Sequence, residues 1–482
     1  MDGYRRLRRV LLRVMAVAAL VAATWIPSPA LANNNAGLRT IPLTIVNNLN
    51  QTTNLYVLIL GVINRDNGVG FPVGTNVYVT DVQGDVAITP AIPGNAPQSL
   101  SLNVGAGGVN QLTLPKLSAV RIYSSIGAGL LVHTGGIKGG GLVLPTVQNP
   151  SDPNFNTKFD FTELTWVPQG PIEGHPEIRT NLGINVTQVD AFGLAQQFTI
   201  EGTDPATFQP NTALTSGFLS TARRPALLNT LQSFGPPWSN LIVGNGVLAR
   251  ALAPNLAIKA SLFPSNQLDN YTSQVFSKYA SGPPITTTVT VCSNQDPNFC
   301  DAVTYNFTGS TVAGELVFSD ASKGGAIFSL KQWSTLHAYE GSFRYGSIQP
   351  ATYADQQAGL AVQAKLQGAL MRTTLVTNPD LDGYCSDPSQ FYVNAPVNKY
   401  AQLWHDNGIN GKAYGFGFDD TCNQSSFQLI FNPTALTITL LGYFTRSRRY
   451  PTVACGSLAG PAGAVPPSRS REGGGGEYPC PA

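Results

Sequence analysis

The chain has 482 residues, of which 12% are charged and 43% hydrophobic, and it contains 49 glycines and 35 prolines. This composition favours extended structure with many turns, which is typical of extracellular β-proteins. The formal charge is +2, but the N-terminal 32 residues hold five Arg and one Asp, and their removal leaves 24 basic and 26 acidic residues. With no basic excess, a nucleic-acid partner is excluded.

Residues 1–32 have the features of a signal peptide. A basic stretch of five arginines precedes an apolar run over 14–26, and Ala30-Leu31-Ala32 forms a small-x-small cleavage site. A general secretory signal fits better than a twin-arginine signal. Because no later apolar run has membrane length, we predict a secreted, extracellular protein without a membrane partner once the signal is removed.

Residues 36–205 are predicted to form a β-rich domain. Short runs rich in β-branched and aromatic residues alternate there with Gly, Pro and Asn, and no helical period of useful length appears. The predicted strands cover 40–46, 54–63, 76–82, 119–124 and 129–133.

Residues 206–414 are predicted to form a second, mixed α/β domain, because about 410 ordered residues exceed one ordinary core. Helical spacing predicts helices over 222–234, 268–280 and 353–374, which alternate with strand-like runs at 287–291, 302–307 and 326–330. Residues 415–443 end in a β segment that we expect to complete the first domain. The tail, 444–482, is Gly- and Pro-rich without periodicity, and we interpret it as disordered.

Six cysteines remain after export, an even number that suggests disulfides in an oxidising compartment. Fifteen pairings are possible, and the simplest set by proximity is Cys292–Cys300, Cys385–Cys422 and Cys455–Cys480. No CxxC motif is present and the four histidines are scattered, so no metal site is predicted.

Two acids interrupt apolar, Thr-rich strand patterns. Side chains alternate along a strand, so Glu163 should share a face with Phe159 and Phe161. By the same count, Asp190 should share a strand face with Phe192. An acid on an apolar face is costly unless it has a partner or a role, and two such acids on neighbouring strands suggest the carboxylate pair of a glycoside hydrolase. The alternative is a pair of structural acids bound by Arg or backbone donors.

Several blocks, in order along the chain, resemble those of the laminaripentaose-producing β-1,3-glucanases of glycoside hydrolase family 64. Each block is weak alone, and their shared order over about residues 40–443 makes the resemblance specific. The blocks are Ser118–Ser124 with Gly127, Asp160–Thr165, Asn185–Leu194, Tyr400–His405, Gly411–Phe416 and Phe418–Thr421.

The resemblance implies a thaumatin-like β-sandwich or barrel domain that forms a wide cleft with the mixed α/β domain. It also implies an inverting mechanism with Glu163 as general acid and Asp190 as general base. Apolar neighbours should raise the pKa of Glu163, as a general acid near neutrality requires. The expected partner is β-1,3-glucan, no cofactor is required, and we expect a monomer.

Six further residues are candidates for substrate binding: Asp152, Thr165, Trp166, Tyr414, Asp419 and Asp420. For Asp152 we favour the alternative of an Asp that caps a Pro-rich turn. Trp166 suits a sugar platform, although a buried core Trp is at least as common. Asp419 and Asp420 are adjacent, so on a strand only one of them would face the sugar.

Two rival interpretations stay open at this point. A non-catalytic glucan-binding protein on a thaumatin-like scaffold would keep the cleft but lose one carboxylate, and both acids are present here. A retaining glycosidase would hold its carboxyls only about 5–5.5 Å apart. The connection over 167–182 is longer than is usual in the family. The resemblance therefore implies β-1,3-glucan as substrate and leaves the product length open.

Overall fold

In the computed structural model of this chain, the structure describes residues 39–49, 53–64, 71–89, 97–134, 142–244, 249–294 and 300–442. The fold is mainly β with few helices. The signal peptide, the tail and the Cys455–Cys480 pair lie outside the described residues. The strands are β1 (Thr40–Asn47), β2 (Asn54–Val62), β3 (Asn76–Val79), β4 (Val86–Ile88), β5 (Gln98–Ser99), β6 (Leu102–Ala106), β7 (Gly108–Pro115), β8 (Ser118–Ile126), β9 (Leu131–Thr134), β10 (Leu142–Val143), β11 (Lys158–Pro168), β12 (Thr180–Val186), β13 (Ala191–Phe192), β14 (Gln196–Thr203), β15 (Thr212–Gly217), β16 (Ile242–Val243), β17 (Arg250–Leu252), β18 (Ile285–Cys292), β19 (Ala302–Val312), β20 (Glu315–Asp320), β21 (Gly325–Lys331) and β22 (Gln428–Leu440).

One large sheet dominates the described part of the chain. Its 12 strands follow the order β15-β14-β22-β12-β11-β8-β2-β3-β4, while β1, β7 and β6 pair off this path. The sheet branches at β22. The start of β22 pairs with β12, with Leu182 opposite Ile430, and its end runs parallel to β1, with Leu43 opposite Leu436.

The two faces of this sheet bury different sets of side chains. The inner face contributes the main apolar core of the sheet, which includes Leu43, Leu164, Trp166 and Ile438 from both branches. The opposite face of β11 and β8 carries a smaller cluster with Phe159 and Tyr123. Strand alternation explains the separation, because residues of odd and even number on β11 point to opposite sides.

The helices belong mostly to the region that follows β15, and they pack in a separate, aromatic-rich core. The three predicted helices are confirmed, with ends within a few residues of those expected. A four-stranded antiparallel sheet, β18-β19-β20-β21, lies among them. The helices are α1 (Arg224–Ser233), α2 (Pro254–Lys259), α3 (Asp269–Ser281), α4 (Thr335–Glu340), α5 (Tyr353–Met371) and α6 (Lys399–Asp406).

Two of the predicted disulfides are present in the structure. Cys292 pairs with Cys300, and Cys385 pairs with Cys422. Within the described ranges, no helix has the length and apolar character needed to cross a membrane. The return of β22 to the N-terminal strands agrees with the expectation for the last β segment, whereas the proposed boundary near residue 205 stays a prediction.

Candidate active site

Glu163 lies in the middle of β11 on the face opposite the main core. Its odd-numbered neighbours Phe159 and Phe161 are buried in the smaller cluster, so the predicted shared face is confirmed. The Glu163 side chain keeps 34% of its surface exposed. Period-two alternation therefore places one carboxylate at the border between an apolar patch and solvent.

Arg121 is the ion-pair partner of Glu163. It stands opposite Glu163 on the neighbouring strand β8, and both Nε and Nη2 lie 2.9 Å from Glu163 Oε1. The guanidinium also lies over the ring of Phe161, 4.7 Å from its centroid. Charge-assisted bonds of this kind hold a carboxylate in one orientation.

Competing effects act on the pKa of Glu163. Although the carboxylate is partly exposed, the surrounding walls desolvate it, and this burial raises the pKa. The charge of Arg121 and its hydrogen bond lower the pKa, while the negative charge of Asp190 raises it further. The net result is a pKa above the ordinary value for Glu, which is the direction that a general acid needs.

Asp190 does not lie on a strand, contrary to the expectation from sequence. β12 ends at Val186, and Asp190 is the last residue of the bend that follows, directly before β13. Its backbone carbonyl accepts a hydrogen bond from the Ala253 amide at 2.9 Å. β13 then pairs with β17, so this bend joins the large sheet to the helical region.

A cavity of about 220 Å³ lies beside these groups. Its lining includes Arg121, the ion-pair partner of Glu163, together with Asp190, Phe161, Thr146 and Leu256. The charge of Asp190 acts on Arg121, Tyr123 and Glu163, which places the two acids near a common cluster. The structure therefore places Asp190, Arg121 and aromatic surface around one cavity, with Glu163 held beside it by Arg121.

Asp152 caps the turn, which agrees with the favoured interpretation of this residue. Its Oδ2 accepts a hydrogen bond from the Thr146 amide and its Oδ1 accepts from the Asn154 amide, each at 2.7 Å. Because Thr146 lines the cavity, the carboxylate shapes a wall of the site. Direct sugar binding by Asp152 stays a prediction.

Thr165 and Trp166 point to opposite sides of β11. Thr165 shares the face of Glu163, and its hydroxyl accepts a hydrogen bond from the Ala119 amide at 3.2 Å. Trp166 is only 3% exposed and packs in the main core. It therefore does not extend the wall where the sequence interpretation placed it, and the alternative of a core Trp is the one observed.

The Tyr414–Asp420 segment contains a buried network. Asp419 is fully buried, with Oδ1 2.6 Å from Arg372 Nη2 and Oδ2 3.0 Å from His405 Nε2. The Gly415 amide donates a further bond to Oδ2 at 2.7 Å. This carboxylate is enclosed by protein, so the structure places it in a structural position and not on a sugar-binding surface.

Tyr414 and Asp420 differ from Asp419, because Tyr414 senses the charge of Glu163 and Asp420 keeps contact with solvent. Tyr414 is buried, and its pKa is raised by burial and by the charges of Asp420, Asp419 and Glu163. Asp420 is half-buried. The segment is a turn and not a strand, so the strand alternation assumed for the two adjacent acids does not apply, and Asp420 is the one of the two that keeps solvent contact. Substrate binding by either residue stays a prediction.

Sequence reasoning missed two charged residues of this site, Arg121 and Asp160. Arg121 is the only charged side chain of the apolar strand 118–126, a signal equal to that of Glu163. Asp160 stands on the same strand as Glu163 but has even number, so it points to the other side of the sheet. Arg121 was visible as the lone charge of its strand, and Asp160 as an acid between two Phe residues of β11.

A curled β-sheet with Glu163 and Asp190 beside one cavity agrees with the class of glycoside hydrolases. The family model for β-1,3-glucanase of glycoside hydrolase family 64 matches residues 39–440, and the chain belongs to this family. It is therefore an enzyme, a β-1,3-glucanase, and the catalytic interpretation of the sequence is confirmed against the non-catalytic rival.

Characterised relatives agree with this assignment. The chain is 30% identical over 435 residues to a glucan endo-1,3-beta-glucosidase of Cellulosimicrobium cellulans, covering 88% of this chain and 70% of the relative. An equally similar enzyme comes from Arthrobacter sp. (strain YCWD3). Among solved structures, a laminaripentaose-producing β-1,3-glucanase in complex with laminaritetraose is 27% identical, with a TM-score of 0.65 over 84% of this chain and 99% of that one.

A second solved structure supports the fold alone. The β-1,3-glucanase domain from Clostridium beijerinckii is 22% identical, with a TM-score of 0.61 over 85% of this chain and 99% of that chain.

Proposed function

We propose that this β-1,3-glucanase is a secreted inverting enzyme, with Glu163 as general acid and Asp190 as general base. The observation that carries the proposal is the half-buried Glu163, bound to Arg121, beside a cavity that Arg121 and Asp190 line. The raised pKa of Glu163 agrees with it. β-1,3-glucan is the proposed substrate, because the solved relative at 27% identity holds laminaritetraose.

In the first half of the reaction, protonated Glu163 donates its proton to the glycosidic oxygen that leaves. Burial in the apolar patch raises the pKa of Glu163, and the charge of Asp190 adds to this effect, which favours the protonated form that a general acid needs. Arg121 lowers the pKa of Glu163 and so opposes this effect. The contact between Arg121 and Oε1 must therefore weaken when Glu163 is protonated. The glycosidic oxygen would take the place of the guanidinium as hydrogen-bond partner.

In the second half, ionised Asp190 removes a proton from a water molecule that attacks the anomeric carbon from the other side of the sugar. An inverting enzyme separates its carboxyls by roughly 6.5–9.5 Å to admit this water. Asp190 stands on a separate bend, and not on the strand beside Glu163, so a gap between the acids can be maintained.

Secretion and the finer architecture are proposed on related grounds. The signal-like residues 1–32 and two disulfides favour an oxidising, extracellular compartment. The 12-stranded sheet supports a thaumatin-like β-domain, with the helical region as the other wall of the cleft. N-terminal sequencing of the exported protein should find a new terminus directly after Ala32, and an intact Met1 would contradict the signal peptide.

The mechanism is tested with Glu163→Gln and Asp190→Asn on laminarin. Each change should lower kcat by about 10²–10⁴-fold with little change in melting temperature, because proton transfer needs an ionisable group. Glu201→Gln, an exposed carboxylate on β14, serves as the matched control. Near wild-type turnover in either folded variant would remove that residue from the mechanism.

The stereochemistry has its own measurement. Proton NMR of freshly formed product should show the α-anomer first, because a single displacement inverts a β-linkage. An initial β-anomer would overturn the inverting assignment in favour of a covalent intermediate.

A further inference from the structure

Asp160 is a buried carboxylate that ties two segments of the chain together. It is 4% exposed and lies on the inner side of β11, three residues before Glu163. Its Oδ2 accepts hydrogen bonds from the amides of Gly193 at 2.8 Å and Leu194 at 3.0 Å, and its Oδ1 accepts from the Phe161 amide at 2.8 Å.

The segment that Asp160 binds is the one that carries Asp190. Gly193 approaches β11 so closely that a Cβ at this position would lie 1.8 Å from the Phe159 carbonyl oxygen. On the other side, Arg224 Nε donates to the Gly193 carbonyl at 2.5 Å. The backbone at Gly193 is therefore held from two directions, and Asp190 is three residues away.

We propose that Asp160 is a positioning residue that sets the separation of Glu163 and Asp190. The inference rests on the proposed roles of these two acids. Asp160 precedes Glu163 by three residues on β11, and Gly193 follows Asp190 by three residues. The Asp160–Gly193 hydrogen bond thus joins β11, which carries Glu163, to the segment that carries Asp190.

The cost of burial supports a functional reason for this carboxylate. A buried carboxylate is often less stabilising than an apolar side chain of the same volume. Here the carboxylate lies three residues before Glu163 and bonds to Gly193, which lies three residues after Asp190. Misplacement of a catalytic group by about 1 Å can lower the rate about 10²-fold. The two hydrogen bonds from Gly193 and Leu194 to Asp160 limit such movement.

The surroundings of Asp160 contain few charges. Burial raises its pKa to about 7, while its amide donors and the charge of Arg250 lower it. Tyr400, from α6, is the other titratable group that senses its charge, together with that of Asp190. Arg250 itself is buried, with Nη2 bonded to the Thr157 carbonyl at 2.6 Å and the guanidinium over the Phe159 ring.

The experiment compares Asp160→Asn with Asp320→Asn. Asp320 is an equally buried Asp in the four-stranded sheet, and it also accepts backbone amides, those of Asn306 and Ser322, at 2.8 Å each. Both variants replace one carboxylate oxygen by an amide that faces N–H donors, so both should lower the melting temperature. On laminarin, Asp160→Asn should lower kcat about 10–100-fold with KM within about threefold, and Asp320→Asn should keep wild-type kcat per folded molecule.

A second substrate separates the two catalytic acids. A nitrophenyl β-laminarioside has a leaving group that departs without a proton, so it should restore turnover by Glu163→Gln. Asp160→Asn and Asp190→Asn should stay impaired on it, because Asp190 activates the attacking water and Asp160 positions the bend that carries Asp190.

Two results would overturn the inference. One is a kcat for Asp160→Asn that equals that of Asp320→Asn on laminarin, which would make Asp160 purely structural. The other is a defect relieved by the aryl substrate as fully as that of Glu163→Gln. Full activity of Asp190→Asn would instead contradict the proposed function itself, so the two failures are distinguishable.

Discussion

The two faces of β11 differ in what their side chains contribute. The inner face packs into the core, and the outer face carries the partly exposed Glu163. On the inner face, Leu164 and Trp166 are buried in the main core, and the buried carboxylate of Asp160 has three backbone donors. On the outer face, Glu163 keeps a third of its surface exposed and has a single ion-pair partner. A polar group with satisfied partners is fixed in place, whereas a partly solvated carboxylate can exchange its partner for substrate.

The largest effect that separates the two faces is expected from Trp166→Ala on the inner face, and it is a loss of stability. Removal of a buried Trp side chain should lower the free energy of unfolding by about 3–5 kcal/mol. The kcat per folded molecule and the KM for laminarin should stay at wild-type values, because Trp166 faces the core. Urea denaturation and steady-state kinetics measure both, and a large rise in KM with unchanged stability would return Trp166 to the sugar wall.

A smaller effect is expected from Arg121→Met on the outer face. Arg121 lowers the pKa of Glu163, so its loss should raise that pKa. A general acid acts in its protonated form, and activity is lost as the pH rises through its pKa. The alkaline limb of the kcat/KM profile should therefore move to higher pH.

Arg121→Lys is the control for this shift, because it keeps the positive charge while it loses the double contact to Oε1. Its alkaline limb should lie between those of the wild type and Arg121→Met. An unchanged limb in Arg121→Met, or one displaced to lower pH, would contradict the assignment of this limb to Glu163.

The smallest effect is expected from Thr165→Val. The hydroxyl of Thr165 lies on the Glu163 face, where a hydrogen bond to sugar is worth about 0.5–1.5 kcal/mol. The KM for laminarin should rise about two- to tenfold with kcat retained. Thr199→Val on β14 is the matched control. Equal KM values for the two variants would show that Thr165 is not a substrate contact.

Local pattern was sufficient for one acid and insufficient for the other. Glu163 obeys a two-residue period within a strand, so its face follows from its neighbours alone. Asp190 is the last residue of a bend that contains no Gly or Pro, so the local sequence does not predict the bend. Contacts with distant residues fix it instead. Gln188 donates its amide to the Tyr414 carbonyl at 2.8 Å and accepts from the Tyr400 hydroxyl at 2.7 Å, over more than 200 residues of chain.

The same alternation of side chains along β11 predicts the face on which Trp166 lies. Its even number places it with Asp160 and opposite Glu163, so the substrate-binding prediction conflicted with the pattern used for the acid. Asp419 differs, since its burial depends on Arg372 and His405 from two other segments. No local period could reveal that network, whereas the two disulfides followed from simple proximity.

The central place of β22 determines when during synthesis the enzyme can become active. Its partners β1, β12 and β14 are made first, and 248 residues separate Leu182 from its partner Ile430. At about 5–20 residues per second, the early strands wait roughly 10–50 s for their neighbour. During this time their edges stay unpaired, and the bend at Asp190 lacks its hydrogen bond to Tyr414 through Gln188. A nascent chain therefore cannot complete the large sheet until its last strand is made.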